Sequence, residues 1–491
     1  MRVFFNEDWE HFWHTRYERG IKVNEEVLRE FVFQYKDTSI TDFSLNINGS
    51  TSSVPTKYMD TWGAKYLKKQ ENGETVDYSD TFAALWYDVF VRQGLDAYQI
   101  WIDTLKEIGI RSWLSIRMND CHFNWAKAAL LKAEEVEKHP DWWIAKYRSA
   151  DGYFDKCFDY TVPEVRERIF GYIQEQLERY DVYGIEVDFT REPYCFSYGQ
   201  SNREMLLSFM EKIKKLALEI GKKREKEIKI SILCQADPIK AYHNGFDLSE
   251  IAKRGLVDVV IASPRWHSTN TDIPVEIWKK LLGAKVSFGC MQQLLVKPSY
   301  FSKAYATDID MAFGQAAANV ARGADCIYLY NYMDKRLAML DELNHSTSII
   351  NDDKVLLELL KEIGDDCLRD KHVRRVPITF DDFVNGYESI ISTLPMKIGP
   401  ISSVRISSGK ITKEKKTFFI MQTEEEIVPE NLNIYLNGVK AKYIVEHKED
   451  SNIVKGHVYS FKASLQTESQ IGIEICAETP FVMTYAEILV E

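Results

Sequence analysis

The chain of 491 residues contains no apolar run of the roughly 18 residues that a membrane helix requires, so no span is expected. It has no basic excess: 62 Lys and Arg stand against 74 Asp and Glu, a formal charge of -12, which argues against a nucleic-acid partner. The opening stretch MRVFFNEDWEHFWHTRYERG shows no basic region leading into an apolar one and no small-residue cleavage site, so a secretory signal is not expected. Eight cysteines are scattered without a CxxC pair, the pattern of reduced thiols rather than of a disulfide framework or a zinc site. No HxH, HExxH or Asp/His cluster with metal spacing occurs, and no GxGxxG follows the first strand-like segment, so neither metal nor dinucleotide cofactor is expected. The expectation is a cytoplasmic protein without a membrane or nucleic-acid partner; a homo-oligomer is compatible with everything in the sequence.

What the chain does have is aromatic residues, 13% of the total, several of them where loops should be. Flat rings in loops suit sugar faces, although most aromatic residues fill cores.

Read for strands, the first 335 residues give eight: 2–6, 41–47, 112–118, 184–189, 228–234, 257–263, 285–291 and 324–332. Helical patterns separate most of them. One is Pro163–Arg179, with Thr161 and Glu164 spaced as a capping box. Others are Met205–Ile220 and Asp308–Arg322, the latter stopped by Gly323. Eight strands alternating with helices predict an α/β fold, a (β/α)8 TIM barrel over residues 1–375. From residue 376 the texture changes to short alternating segments with turn residues between them, among them the hairpin signal Asn437-Gly438. That predicts a smaller all-β sandwich over 376–491.

In such a barrel the strand C-termini surround a common mouth. Long connections, 48–111 and 119–183, lie at that end. The mouth would gather carboxylates for acid/base work, amides and arginines for hydroxyls, and aromatic planes. Its centre is the stretch YGIEVDFTREP, where Glu186 and Asp188 share one face of the fourth strand while Ile185, Val187 and Phe189 take the other. Buried charge is costly unless paired or used. Arg117 on the third strand is expected to face and offset Glu186, leaving Asp188 at the open rim as nucleophile or base. Glycoside cleavage normally needs a second carboxyl. The candidates are Asp237 at the end of the fifth strand, Glu192, Asp120, and Asp272 after the sixth strand. Arg117, Asn119, Arg191 and Asn331 are expected to bind sugar hydroxyls, with Trp266 as a platform and His122 and His267 as further contacts.

The segments PEVRERIFGYIQEQLERYDVYGIEVDFTREP and ANVARGADCIYLYNY resemble a large group of glycoside-hydrolase-like (β/α)8 proteins, over roughly residues 1–375, with a β-sandwich as a common companion. In the similar α-galactosidase and α-amylase-like barrels the nucleophile is an Asp ending the fourth strand, which implies that role for Asp188. Family 18 chitinases read DGxDxDxE instead; here Tyr183 stands at the leading Asp and Thr190 at the final Glu, so the resemblance implies no substrate-assisted mechanism. The α-galactosidase-like acid comes from the sixth strand, and Ser263-Pro264-Arg265-Trp266 supplies no carboxylate there. The expected function is hydrolysis of an imported oligosaccharide or small glycoside. The alternatives are a non-catalytic carbohydrate-binding barrel, or a lyase or transferase using the same pocket.

Overall fold

The computed structural model describes residues 1–8, 10–74, 82–122, 124, 132–147, 154–197, 200–265, 268–300, 302–336, 349, 352–381, 392–445 and 457–491. The eight expected strands close on themselves as β1 (Arg2–Glu7), β2 (Asp42–Asn46), β3 (Arg111–Arg117), β4 (Gly184–Asp188), β5 (Lys229–Gln235), β6 (Val259–Ser263), β7 (Ser287–Gln293) and β8 (Cys326–Tyr330). Every neighbouring pair is parallel, and β8 returns to β1 with Phe4 beside Tyr328. A closed ring of parallel strands needs crossovers on its outer face, and the helices that supply them bury the outward residues of each strand.

Ile185, Val187 and Phe189 pack into that outer layer, as the alternation predicted. The lumen face differs. At its floor Asp42 accepts bonds from Arg2 (2.8 Å), Arg111 (2.6 Å) and Trp113 Nε1 (2.8 Å), so this buried acid is fully paired. The Trp113 ring fills the space opposite Gly184, where a Cβ would stand only 2.4 Å from its Cζ3. Glycine at 184 is therefore a packing requirement.

The crossover helix Pro163–Arg179 forms as expected, but its capping box does not. Val162 occupies the cap position without a side-chain bond, and the carboxylate of Asp159 instead accepts from the Thr161 backbone N–H at 2.9 Å. Proline in the first turn leaves fewer N–H groups to satisfy, so the helix starts without the box. The helix Ile309–Ala321 is capped by Asp308, whose side chain accepts from Met311 N at 2.8 Å, and Gly323 (φ +105°) ends the segment. No helix among the described residues is long and apolar enough to cross a membrane.

Antiparallel strands follow from Arg374. One sheet runs Arg374–Pro377, Phe481–Val490, Thr417–Thr423, His457–Ala463, Lys442–Ile444, with Met396–Ile398 also on the long strand. The other runs Ser402–Ser407, Gln470–Cys476, Asn433–Leu436, Val439–Lys440. Asn437 (φ +49°) and Gly438 (φ +79°) make the predicted tight turn. An apolar core between the sheets includes Phe419, Met421, Phe461, Ile473 and Ile488. The sandwich seats on the helix Ile309–Ala321, where Gly314 lets the Arg375 backbone approach so closely that a Cβ would lie 2.3 Å from its carbonyl oxygen. Arg375 also bridges Asp308 (2.7 Å) and Glu487 (3.1 Å) across the seam.

Candidate active site at the barrel mouth

The parallel register puts Arg117 of β3 opposite Asp188 of β4, and Ser115 opposite Glu186. The expected Arg117–Glu186 pair does not exist. Two residues along a strand are one layer of the lumen, and the guanidinium lies in the upper layer, pointing to the mouth. It donates to Asp120 Oδ2 (3.0 Å), Asp8 Oδ1 (2.8 Å) and the Tyr330 hydroxyl (3.3 Å).

Glu186 is instead enclosed by neutral groups. Its Oε1 accepts from Ser44 Oγ (2.6 Å) and the Tyr328 hydroxyl (2.9 Å), while Oε2 has no hydrogen-bond partner among the described residues. Burial pushes the Glu186 carboxyl up to about 7; the Ser44 bond works against the rise, and the nearby Asp188 charge adds to it. Glu186 is therefore a lumen residue beneath the site and makes no contact with the mouth's arginines.

Asp188 is 2% exposed, so it does not stand open on the rim as expected. It lies in a recess because its own loop folds back on it. Oδ1 accepts from Thr190 N (2.8 Å), Thr190 Oγ1 (2.9 Å) and Arg191 N (3.2 Å). This local cap turns the chain sharply after β4. Oδ2 takes no hydrogen bond among the described residues. Burial raises the Asp188 carboxyl above its ordinary value, with Arg117 and the loop N–H groups opposing the rise.

Around Asp188 runs a chain of charged groups. Arg191 Nη2 lies 2.9 Å from His122 Nε2, and His122 Nδ1 lies 2.7 Å from Asp120 Oδ1. A guanidinium can only donate, so Nε2 faces Arg191 as the acceptor and Nδ1–H donates to Asp120. The His122 backbone N–H adds a second bond to Asp120 Oδ1 at 2.7 Å. Burial would raise the Asp120 carboxyl, but His122, Arg117 and Arg191 outweigh it and hold this acid well below the usual carboxylate range. Glu192 is 1% exposed and behaves oppositely. Burial raises its carboxyl, only partly opposed by Arg265, whose Nη2 stays 3.4 Å away, and by His122. The Arg265 guanidinium rests over the Phe154 ring at 4.8 Å.

The remaining candidates divide clearly. Asn119 lies at the mouth but spends its amide on the loops, donating to the carbonyls of Phe158 (2.8 Å) and Tyr194 (2.9 Å) and accepting from Phe158 N (2.8 Å). It shapes the wall and has no donor left for a hydroxyl. Asn331, in the left-handed region (φ +63°), donates to Gln293 Oε1 at 3.3 Å and is part-exposed at the end of β8. Asp237 caps the helix Pro238–His243 by accepting from Ile239 N (2.7 Å) and Lys240 N (3.0 Å), so its carboxylate is engaged outside the acid chain. Asp272 has left the mouth: it pairs with Arg405 of the sandwich at 2.7 Å and Arg322 at 3.5 Å. Trp266 and His267 lie outside the described residues.

One contributor, Asp8, escaped the sequence reading. Asp8 follows β1 directly and anchors Arg117; an acid just past the first strand, at the mouth end, was the available signal. Gln235, expected from the sequence at the end of the fifth strand, is wholly buried, and neither atom of its amide has a partner among the described residues. Such an amide is unusual unless something else satisfies it.

No family model and no curated protein sequence matches this chain. Solved structures similar to it include α-L-fucosidase isoenzyme 2 from Paenibacillus thiaminolyticus, at 12% identity and TM-score 0.41 over 70% of this chain and 49% of that one. An α-galactosidase from Geobacillus stearothermophilus in complex with stachyose matches at 12% identity and TM-score 0.41, over 98% of this chain and 55% of that one. An α-amylase from Lactobacillus plantarum matches at 10% identity and TM-score 0.38, over 96% and 98%. The chain thus spans about half the length of the first two. These neighbours are glycoside hydrolases, but overlaps this loose carry no weight for the chemistry, and the barrel is established by its own strand pairing.

Proposed function

We propose that the protein is a glycoside hydrolase with Glu192 as general acid and Asp188 as nucleophile or base. The observation that supports this reading best is the burial of two carboxyls on the β4 strand end and its loop. Burial of Glu192 favours the proton that a general acid must carry. Burial raises Asp188 as well, but Arg117 and the loop N–H groups oppose that rise and favour the charge that a nucleophile or base needs. Asp188 has one oxygen tied to its loop and one without a hydrogen bond among the described residues, the arrangement a fixed nucleophile needs. Gln235 and Asn331 supply amides toward the same mouth. Free thiols at all eight cysteines agree with a reaction in the cytoplasm on an imported oligosaccharide or small glycoside.

Hydrolysis of a panel of aryl glycosides by wild type, Asp188→Asn and Glu192→Gln tests this. Each substitution is expected to lower kcat/KM by about 10²–10⁴-fold on the responsive substrate. For Glu192→Gln the loss should be smaller with nitrophenyl leaving groups, which need little protonation. Unchanged turnover in Asp188→Asn would remove that residue from the mechanism.

The second reading, a sugar-binding barrel without turnover, draws on the guanidinium of Arg265 beside Glu192, which opposes the proton an acid must carry. Thermal stabilisation by sugars with no hydrolysis anywhere in the panel would favour it.

A further inference from the structure

Beside the mouth, the loop after β8 and the helix after β1 enclose a cavity of about 570 Å3. Its wall carries four cations, Arg16, Arg19, Lys335 and Lys354, against two acids, Asp352 and Asp353. Both acids are engaged: Asp353 pairs with Lys335, and Asp352 caps its helix by accepting from Lys354 N at 2.8 Å. Arg16, Arg19 and Lys354 have no ion-pair partner among the described residues, in a protein whose overall charge is -12. Arg16 is the most telling of them. It lies over the rings of Phe12 (4.5 Å) and Phe31 (5.0 Å), donates from Nη1 to Thr15 Oγ1 at 3.0 Å, and its buried Nε has no hydrogen-bond partner among the described residues. Burial pulls the Arg16 guanidinium below its usual range, and the nearby Glu7 opposes this only in part. Glu7 itself is bonded to His11 rather than to Arg16.

We propose that this cavity is a second binding site, for the phosphate group of a small anionic ligand. The wall's surplus of two positive charges matches a phosphate group, which carries ≈ −1.5 to −2 at pH 7. Guanidinium forks together with ammonium donors satisfy more oxygens than a lone carboxylate presents. The volume lies within the range of small-molecule pockets, and Phe31 and Tyr35 supply an apolar wall for whatever the phosphate is attached to. The site also touches the mouth through two consecutive residues: Glu7 holds His11 in the cavity wall, and Asp8 holds Arg117. The assignment is independent of what the mouth does.

Thermal melts of the full chain with glucose 6-phosphate, inorganic phosphate, glucose and sodium chloride at matched ionic strength provide the test. Both phosphates should raise Tm, and glucose and chloride should not. Tighter binding of glucose 6-phosphate assigns the group to an organic monoester, and equal binding assigns it to free phosphate. Arg19→Glu with Lys354→Glu changes two exposed wall positions, so the fold should survive, and phosphate affinity should fall by about tenfold or more. No rise in Tm beyond that of chloride, or equal affinity in the double variant, would overturn the site.

Discussion

The barrel lumen and the sandwich interior are both closed to water, yet they are built from opposite materials. Between the sandwich sheets the packed residues are mostly Phe, Ile, Val, Leu, Met and Ala, with Tyr459, Thr417 and Thr423 among the polar exceptions. Inside the barrel, Asp42, Ser44, Ser115, Glu186, Asp188, Ser231 and Gln235 share the lumen with Phe4, Trp113 and Tyr328. Apolar burial stabilises in proportion to area, so the sandwich interior is read as stability alone. Buried polar groups carry a penalty unless bonded, and here Glu186 Oε2, Ser231 Oγ and both amide atoms of Gln235 have no partner among the described residues. Keeping such groups under a barrel mouth costs stability, which fits the proposed role of that mouth.

The contrast can be broken at three places. Phe419→Ala, in the sandwich core and 0% exposed, should cost about 3–5 kcal/mol in denaturant melts while leaving turnover below the melting temperature intact. Loss of turnover at low temperature would show that the sandwich does more than brace. Glu186→Gln should act through pH. With its carboxyl up at about 7 against an ordinary 4.5, the folded chain keeps a proton that the unfolded chain has released. Its stabilising share is therefore full below about 4.5, falls as pH rises, and levels off above about 7, a change of about 3 kcal/mol. The Gln variant should lose that slope and match or exceed wild type at pH 8; an unchanged slope would place the proton elsewhere. Least of all, Asp272→Asn at the seam should shift stability by less than about 1 kcal/mol, since it and Arg405 are about half exposed, and should leave hydrolysis unchanged.

How much of this was legible follows residue by residue. All eight barrel strands were visible because each is a short run rich in apolar and β-branched residues, alternating in GIEVDF and continuous in VDVVIAS, and helix signals such as Gly323 separate them. The hairpin at Asn437-Gly438 was visible because few other dipeptides accept two positive φ values. Asp188 was placed correctly on the lumen face of β4, but its recess was not foreseen, because the bonds from Thr190 and Arg191 depend on how the loop turns. Asp272 was misplaced for a similar reason. Its loop starts at the mouth, and its carboxylate is held away by Arg405 of the docked sandwich together with Arg322.

Periodicity in the chain determined the elements, their order and which face of β4 carries acids, since these depend on neighbours within a few residues. Tertiary structure alone decided that Arg117 serves Asp8, Asp120 and Tyr330 rather than Glu186, and that Glu192 and Asp120 sit under opposing influences. Those outcomes depend on the relative stagger of strands and on burial, quantities set by the closed ring and absent from any local stretch of sequence.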